Sequence, residues 1–134
     1  EEENDLTRFG RSVGIAFQLV DDLLDYTSSE EVFGKPVGKD LLEGKITLPL
    51  IYTLAELEPG EKKRFRELFE KRTADKAAYQ ELLKRVRRGG VLEKIREEAQ
   101  RYVDDAARCL KRFPDSAIKE NLLILIQYII HRTY

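Results

Sequence analysis

The chain has 134 residues, with 24 Lys or Arg and 25 Asp or Glu, so its formal net charge at pH 7 is −1. This balance excludes a general electrostatic attraction to nucleic acid, and we interpret the basic run KRVRR at 84–88 as a solvated helix face. The single cysteine, Cys109, excludes an intrachain disulfide and fits a reduced, cytoplasmic setting. No apolar run reaches the roughly 18 residues that a membrane span needs.

Apolar residues recur at helical spacing along nearly the whole chain, without a convincing strand alternation. We therefore predict an all-α fold in which residues 1–134 form a single unit. A polar, Gly-rich loop is predicted at 27–45, and LLILIQYII at 122–130 is predicted to be a buried helix. The predicted helices are Leu6–Tyr26 with Asn4 or Asp5 as N-cap, Ile46–Leu57, a segment from about Gly60, Asp75–Arg87, Val91–Phe113, and a segment from Asp115 or Ser116 to His131.

The first predicted helix carries a narrow polar stripe. At about 100° per residue, Gln18, Asp21, Asp22 and Asp25 fall within an arc of roughly 100°. The apolar arc is about twice as wide, which is too broad for a helix lying on a surface. We therefore expect a mostly buried helix whose stripe faces a wet space.

Three carboxylates within two turns repel one another unless cations neutralise them. Carboxylate oxygens without a nearby histidine or thiol suit Mg²⁺, which completes its shell with water and phosphate oxygens. The alternative is that the aspartates pair with Lys or Arg side chains of neighbouring helices. We favour the metal because Asp25 and Gln18 share the arc with Asp21 and Asp22.

The following loop supplies the opposite charge. Lys35, Lys39 and Lys45 alternate there with glycines that allow a close approach of the backbone to a ligand. An acidic helix followed by a lysine-rich loop predicts a diphosphate bridged by metal ions to the carboxylates, with ammonium groups on its remaining charge.

At these residues the sequence resembles the trans-prenyltransferases, the head-to-tail polyprenyl diphosphate synthases. Their second aspartate-rich motif, approximately G-x-x-F-Q-x-x-D-D-x-L-D, stands here as GIAFQLVDDLLD at 14–25. Their pattern G-K-x-x-G-x-D-x-x-x-G-K-x-T-x-P stands as GKPVGKDLLEGKITLP at 34–49. The resemblance spans about residues 10–51, and beyond residue 52 only a general helical pattern remains.

The resemblance implies the isoprenoid synthase helical bundle and an enzyme that condenses isopentenyl diphosphate with an allylic diphosphate. Mg²⁺, with Mn²⁺ as the alternative ion, would assist departure of the diphosphate, and the full-length protein would be a homodimer. The implied roles are metal ligation by Asp21, Asp22, Asp25 and Asp40; diphosphate binding by Lys35, Lys45, Gln18 and, with less weight, Lys39; and catalysis by Asp21, Asp22, Lys35, Lys45 and Gln18.

The first aspartate motif, D-D-x-x-D with paired arginines, is absent from these residues; Asp104-Asp105 is followed by AARCL. The chain also contains no methionine. We therefore expect it to be about the C-terminal 40% of such an enzyme and to be inactive alone. Turnover of dimethylallyl, geranyl or farnesyl diphosphate by the isolated residues would contradict that expectation.

The loop GKDLLEGKITLPLI favours the medium- and long-chain synthases, which make quinone side-chain precursors. Two alternatives stay open. One is a terpene cyclase of the same fold, and the other is a non-catalytic helical partner subunit of a heteromeric prenyl synthase.

Overall fold

A computed structural model describes residues 1–27, 38–70 and 75–132. Every regular element in those ranges is helical, which confirms the all-α prediction. The helices are α1 (Glu2–Thr27), α2 (Lys39–Leu42), α3 (Leu48–Glu56), α4 (Pro59–Glu70), α5 (Lys76–Arg88), α6 (Val91–Cys109) and α7 (Ala117–His131).

Two of the predicted helix starts carry side-chain caps in the structure. Asp75 accepts a hydrogen bond from the backbone N–H of Ala78 at 3.0 Å, and Ser116 accepts one from Lys119 at 3.2 Å. Each bond satisfies one of the N–H groups that the first helical turn leaves without an intrahelical partner.

The N-cap predicted for α1 at Asn4 or Asp5 is wrong, because α1 already begins at Glu2. Its first turn is acidic, and negative charge there is stabilised by the positive end of the helix dipole. Arg112 adds ion pairs with Glu1 at 3.0 Å and Asp5 at 3.2 Å. These ion pairs connect Arg112 to the start of α1.

The described residues group into two compact units, of which one lies within Asp22–Lys94. In this unit, α5 packs against α2 and α3. Side chains from α2 to α5 share one core. Burial of each large apolar side chain in it contributes about 1.5–3 kcal/mol to the free energy of unfolding. The buried members of this core are Leu41, Leu50, Phe65, Leu68, Ala78 and Leu82.

The other unit comprises Glu1–Asp21 and the described residues from Ile95 onward. Its buried side chains on α6 follow the helical period of three and four residues, which places them on one face. These fully buried positions are Ile95, Ala99, Val103 and Ala106. Cys109 is buried as well.

Helix α7 is less buried than predicted. Ile126 and Ile129 are buried, whereas Ile124 is 61% exposed, Leu125 is 49% exposed and Tyr128 is 64% exposed. The buried pair is separated by three positions, so a single face of the helix is covered. The apolar run at 122–130 therefore overestimated the burial of α7, because apolar residues also occupy the uncovered face of the helix.

Among the residues that the structure describes, no helix has both the length and the apolar character that a membrane span requires. The expectation of one domain over residues 1–134 stays a prediction.

The burial pattern of α2 provides a test of the core. Leu41 is 1% exposed, and its neighbour Leu42 is 53% exposed. Replacing Leu41 by Ala should lower the free energy of unfolding by about 2–5 kcal/mol, since it removes buried methyl groups and leaves a cavity. Leu42→Ala is the matched control and should stay within about 0.5 kcal/mol of wild type. Urea denaturation measures both, and equal losses would contradict the assigned core.

Candidate functional site

The polar stripe of α1 is present, with one difference from the prediction. Gln18 and Asp21 are exposed and Asp25 is half-buried, but Asp22 is 9% exposed. Asp22 lies three residues after Leu19 and four before Tyr26, so it shares a helix face with two buried side chains. The prediction that Asp22 faces a wet space is therefore wrong for this structure.

The end of α1 is hydrogen-bonded to the segment that begins at Gly38. The backbone N–H of Gly38 donates to the carbonyl oxygen of Asp25 at 2.8 Å, and the N–H of Asp40 donates to Asp25 Oδ2 at 3.1 Å. Burial raises the pKa of the Asp25 carboxyl, and the hydrogen bond from Asp40 opposes that rise. Asp25 and Asp40, both predicted metal ligands, are therefore brought together.

Gly38 makes this approach possible. Its φ of 74° lies in the left-handed region, and an added Cβ would stand 2.8 Å from Leu83 Cδ1. Both observations favour glycine at this position. Gly38 directly precedes α2, a short helix inside the segment predicted to be a loop, and α2 carries Asp40.

Lys45 is paired with acidic side chains. Its Nζ lies 2.6 Å from Asp40 Oδ1 and 3.2 Å from Glu43 Oε2, and its backbone N–H donates to the Asp40 carbonyl oxygen at 2.8 Å. These side-chain hydrogen bonds raise the pKa of Lys45 above its usual range. Lys45 remains 57% exposed, so a ligand arriving from solvent can contact it.

Glu43 is a member of this cluster that the sequence reasoning missed. Lys39 Nζ lies 3.2 Å from Glu43 Oε1, and hydrogen bonds from Lys39 and Lys45 lower the pKa of Glu43. The spacing of four residues between Lys39 and Glu43 was the available signal, because such pairs adjoin on a helix.

Asp21 is paired with an arginine far away in the sequence. Arg132 Nη2 donates to Asp21 Oδ1 at 3.2 Å, and the guanidinium carbon lies 4.3 Å from the centre of the Phe17 ring. This pairing corresponds to the alternative in which an aspartate is neutralised by a basic side chain. No local pattern in the sequence indicates Arg132, which lies 111 residues from Asp21.

A further contact joins α1 to the residue before α3. The hydroxyl of Tyr26 lies 3.4 Å from Thr47 Oγ1, and either group can donate. Tyr26 is fully buried, and this burial raises the pKa of its phenol. Thr47 is the threonine of the motif G-K-x-T, so the contact lies between the two motif segments.

The carboxylates of the predicted metal ligands determine whether the site fits Mg²⁺. Within the described ranges, no group of three or more His, Cys, Asp or Glu side chains is placed to hold a metal ion. A closed protein cage is therefore not formed by these residues. Mg²⁺ commonly takes only one or two carboxylates and completes its shell with phosphate oxygens and water. The Asp21 side chain, 55% exposed and carrying only oxygen donors, fits that kind of site.

Lys35 lies outside the described residues, so its predicted contact with a diphosphate stays a prediction. Gly34 also lies outside the described residues, so the expected close approach of its backbone to a ligand stays a prediction.

Comparisons with known proteins identify a family and several relatives that this chain resembles. A model of the polyprenyl synthetase family matches residues 1–86. The prenyl transferase of Cyanophora paradoxa is 37% identical over 134 residues, covering 98% of this chain and 39% of the relative. The octaprenyl diphosphate synthase of Escherichia coli is 37% identical over 132 residues, covering 98% of this chain and 41% of the relative.

A solved structure of a polyprenyl synthase from Caulobacter crescentus, complexed with calcium and isoprenyl diphosphate, superimposes with a TM-score of 0.82. Its sequence is 32% identical, and the match covers 96% of this chain and 39% of that one. The helical fold and the aspartate- and lysine-bearing motifs thus define a protein of the isoprenoid synthase class. The chain belongs to the polyprenyl synthetase family, which confirms the resemblance found in its motifs.

The buried phenol of Tyr26 yields a pH prediction. Because its folded pKa is raised above the usual 10.0, it stabilises the fold fully below about pH 10, and this contribution is lost as pH rises through the folded pKa. In Tyr26→Phe, the free energy of unfolding should therefore fall less steeply above pH 10 than in wild type. At pH 7 the variant should lose about 1 kcal/mol at most, through the missing hydrogen bond to Thr47.

Urea denaturation at a series of pH values measures this difference. Tyr79→Phe serves as the control for loss of a phenol in the same unit, where Tyr79 packs against the Phe69 ring at a centroid distance of 6.0 Å. Parallel curves for wild type and Tyr26→Phe would contradict the prediction.

Proposed function

We propose that this chain is part of a Mg²⁺-dependent trans-prenyltransferase that condenses isopentenyl diphosphate with an allylic diphosphate. The observation that carries the proposal is the connection of the acidic helix to the basic segment through Asp25, Asp40 and Lys45. In this connection the Asp25 carboxylate accepts the backbone N–H of Asp40, and the Asp40 carboxylate accepts a hydrogen bond from the Lys45 ammonium group. Acidic and basic groups so arranged suit a ligand that is itself an anion bound to metal ions.

The proposed metal ligands are Asp21, Asp22 and Asp25 on α1, with Asp40 on α2. When bound, Mg²⁺ supplies Lewis-acid neutralisation of the diphosphate as its bond to the allylic carbon breaks; Mn²⁺ is the alternative ion. Asp21 is the most accessible of the three α1 carboxylates. Asp25 is held in place by its hydrogen bond from the Asp40 N–H.

Lys45 is the proposed donor to the diphosphate. An ammonium group has three N–H donors, and Asp40 and Glu43 account for two of them. The remaining donor can contact a phosphate oxygen and stabilise the charge that develops as the diphosphate leaves. We assign Lys35 the same role, give Lys39 less weight because Glu43 already pairs with it, and place Gln18 beside the allylic carbons.

The chain spans 39% of the Cyanophora relative and 41% of the Escherichia relative. Activity, substrates and partners of the whole protein are accordingly part of this proposal. We propose a cytoplasmic homodimer, medium- or long-chain products and no turnover by these 134 residues alone. The E. coli relative's name, octaprenyl diphosphate synthase, supports the chain-length assignment.

Asp21→Ala in the full-length protein tests the carboxylate assignment. Loss of a group that holds the charge-stabilising metal should lower kcat/KM for prenyl transfer by about 10²–10³-fold. Asp104→Ala is the matched control, because Asp104 is exposed, belongs to another Asp-Asp pair and accepts a hydrogen bond from Gln100 at 2.9 Å. Radiolabelled isopentenyl diphosphate measures the turnover, and a similar kcat/KM for both variants would overturn the assignment. A partner subunit without catalysis should instead retain its binding when Asp21 is replaced.

Lys45→Gln tests the ammonium group. Because charge-assisted hydrogen bonds contribute about 1.5–3 kcal/mol, the variant should bind inorganic pyrophosphate with Mg²⁺ about 10- to 150-fold more weakly. Lys94→Gln is the control, since Lys94 forms a comparable exposed pair with Glu56 at 2.5 Å. Isothermal titration calorimetry measures both affinities. Unchanged binding in Lys45→Gln, or equal weakening in both variants, would contradict the assignment.

A further inference from the structure

Arg132 makes two contacts with α1 that the motif-based site does not include. Its Nη2 donates to Asp21 Oδ1 at 3.2 Å, and its guanidinium carbon lies 4.3 Å above the Phe17 ring. The Arg132 side chain is only 7% exposed, although Asp21 is 55% exposed. All three residues belong to the unit that contains Glu1–Asp21.

We propose that Arg132 is a positioning residue that competes with the metal ion for the Asp21 carboxylate. This inference rests on the proposed function, in which Asp21 is a metal ligand. When the metal is absent, the guanidinium neutralises Asp21 and fixes its orientation. When the metal binds, the two cations repel each other at one carboxylate, so the contact between Arg132 and Asp21 weakens.

The Phe17 ring distinguishes this pair from an ordinary surface ion pair. Phe17 precedes Asp21 by four residues, so both side chains lie on one helix face and can contact a single guanidinium group. The ring face attracts the cation, while the carboxylate accepts its hydrogen bond. Arg108 and Asp105 provide the contrast, because their pair joins neighbouring turns of one helix and Arg108 is 64% exposed. Exposed pairs of that kind contribute little.

Arg132 and the metal ion are both cations that interact with the Asp21 carboxylate in this proposal. The competition is therefore controlled by the metal ion concentration. Binding at coupled sites is reciprocal, so the factor by which Arg132 weakens metal binding equals the factor by which the metal weakens the Arg132 contact.

Mn²⁺ binding to the full-length protein, without diphosphate, tests the competition. Arg132→Gln should bind Mn²⁺ about three- to tenfold more tightly than wild type, because the competing cation is gone. Arg132→Lys, which keeps the charge but loses the planar stacking on Phe17, should show a smaller increase. Electron paramagnetic resonance of free Mn²⁺ measures the affinity independently of turnover.

Arg112→Gln is the matched control, because Arg112 belongs to the same unit and pairs with Glu1 and Asp5, away from the stripe. Its Mn²⁺ affinity should equal that of wild type. Equal or weaker Mn²⁺ binding in Arg132→Gln would overturn the inference. If Arg132→Gln does not fold by circular dichroism, the Arg132→Lys result decides, and unchanged or weaker binding there overturns it.

Asp21→Asn separates this inference from the proposed function. If Asp21→Asn binds Mn²⁺ as tightly as wild type, the metal role of Asp21 fails, and the inference fails with it. If Asp21→Asn binds more weakly while Arg132→Gln shows no gain, only the competition is refuted.

Discussion

The carboxylate of Asp25 is the constraint on which the candidate site depends. It accepts the N–H of Asp40, while the carbonyl oxygen of the same residue accepts the N–H of Gly38. Two bonds from one residue thus determine where α2 starts relative to the end of α1. The position of Asp40 in turn determines that of Lys45, which contacts it through both its side chain and its backbone.

Charge in this protein is balanced locally. Lys45 and Lys39 pair with Asp40 and Glu43, and Asp21 pairs with Arg132. Asp21, Asp40, Lys39 and Lys45, which are among the groups proposed to bind a charged ligand, each have an oppositely charged neighbour. The proposed metal–diphosphate ligand carries both signs of charge, so its binding would exchange these ion pairs for new ones.

Helical periodicity predicted the longer helices, including the starts near Asp75 and Ser116, and the motif spacing predicted the family. They could not predict Arg132, because a contact across 111 residues depends on tertiary packing. The burial of Asp22 could have been predicted from the sequence, because its i−3 and i+4 neighbours, Leu19 and Tyr26, are apolar or aromatic. Helix α2 is four residues long, which is too short for a periodic pattern to reveal.

The candidate site depends indirectly on Leu83 of α5, which is not one of the proposed ligand-binding residues. It occupies the space into which a side chain at residue 38 would extend, and residue 38 is hydrogen-bonded to Asp25. A larger residue at 83 would press on Gly38, whereas a smaller one would not make another residue acceptable at 38, because the φ of 74° still favours glycine. Overpacking at residue 83 would therefore disturb the hydrogen bond between Gly38 and Asp25, although Leu83 lies outside both motifs.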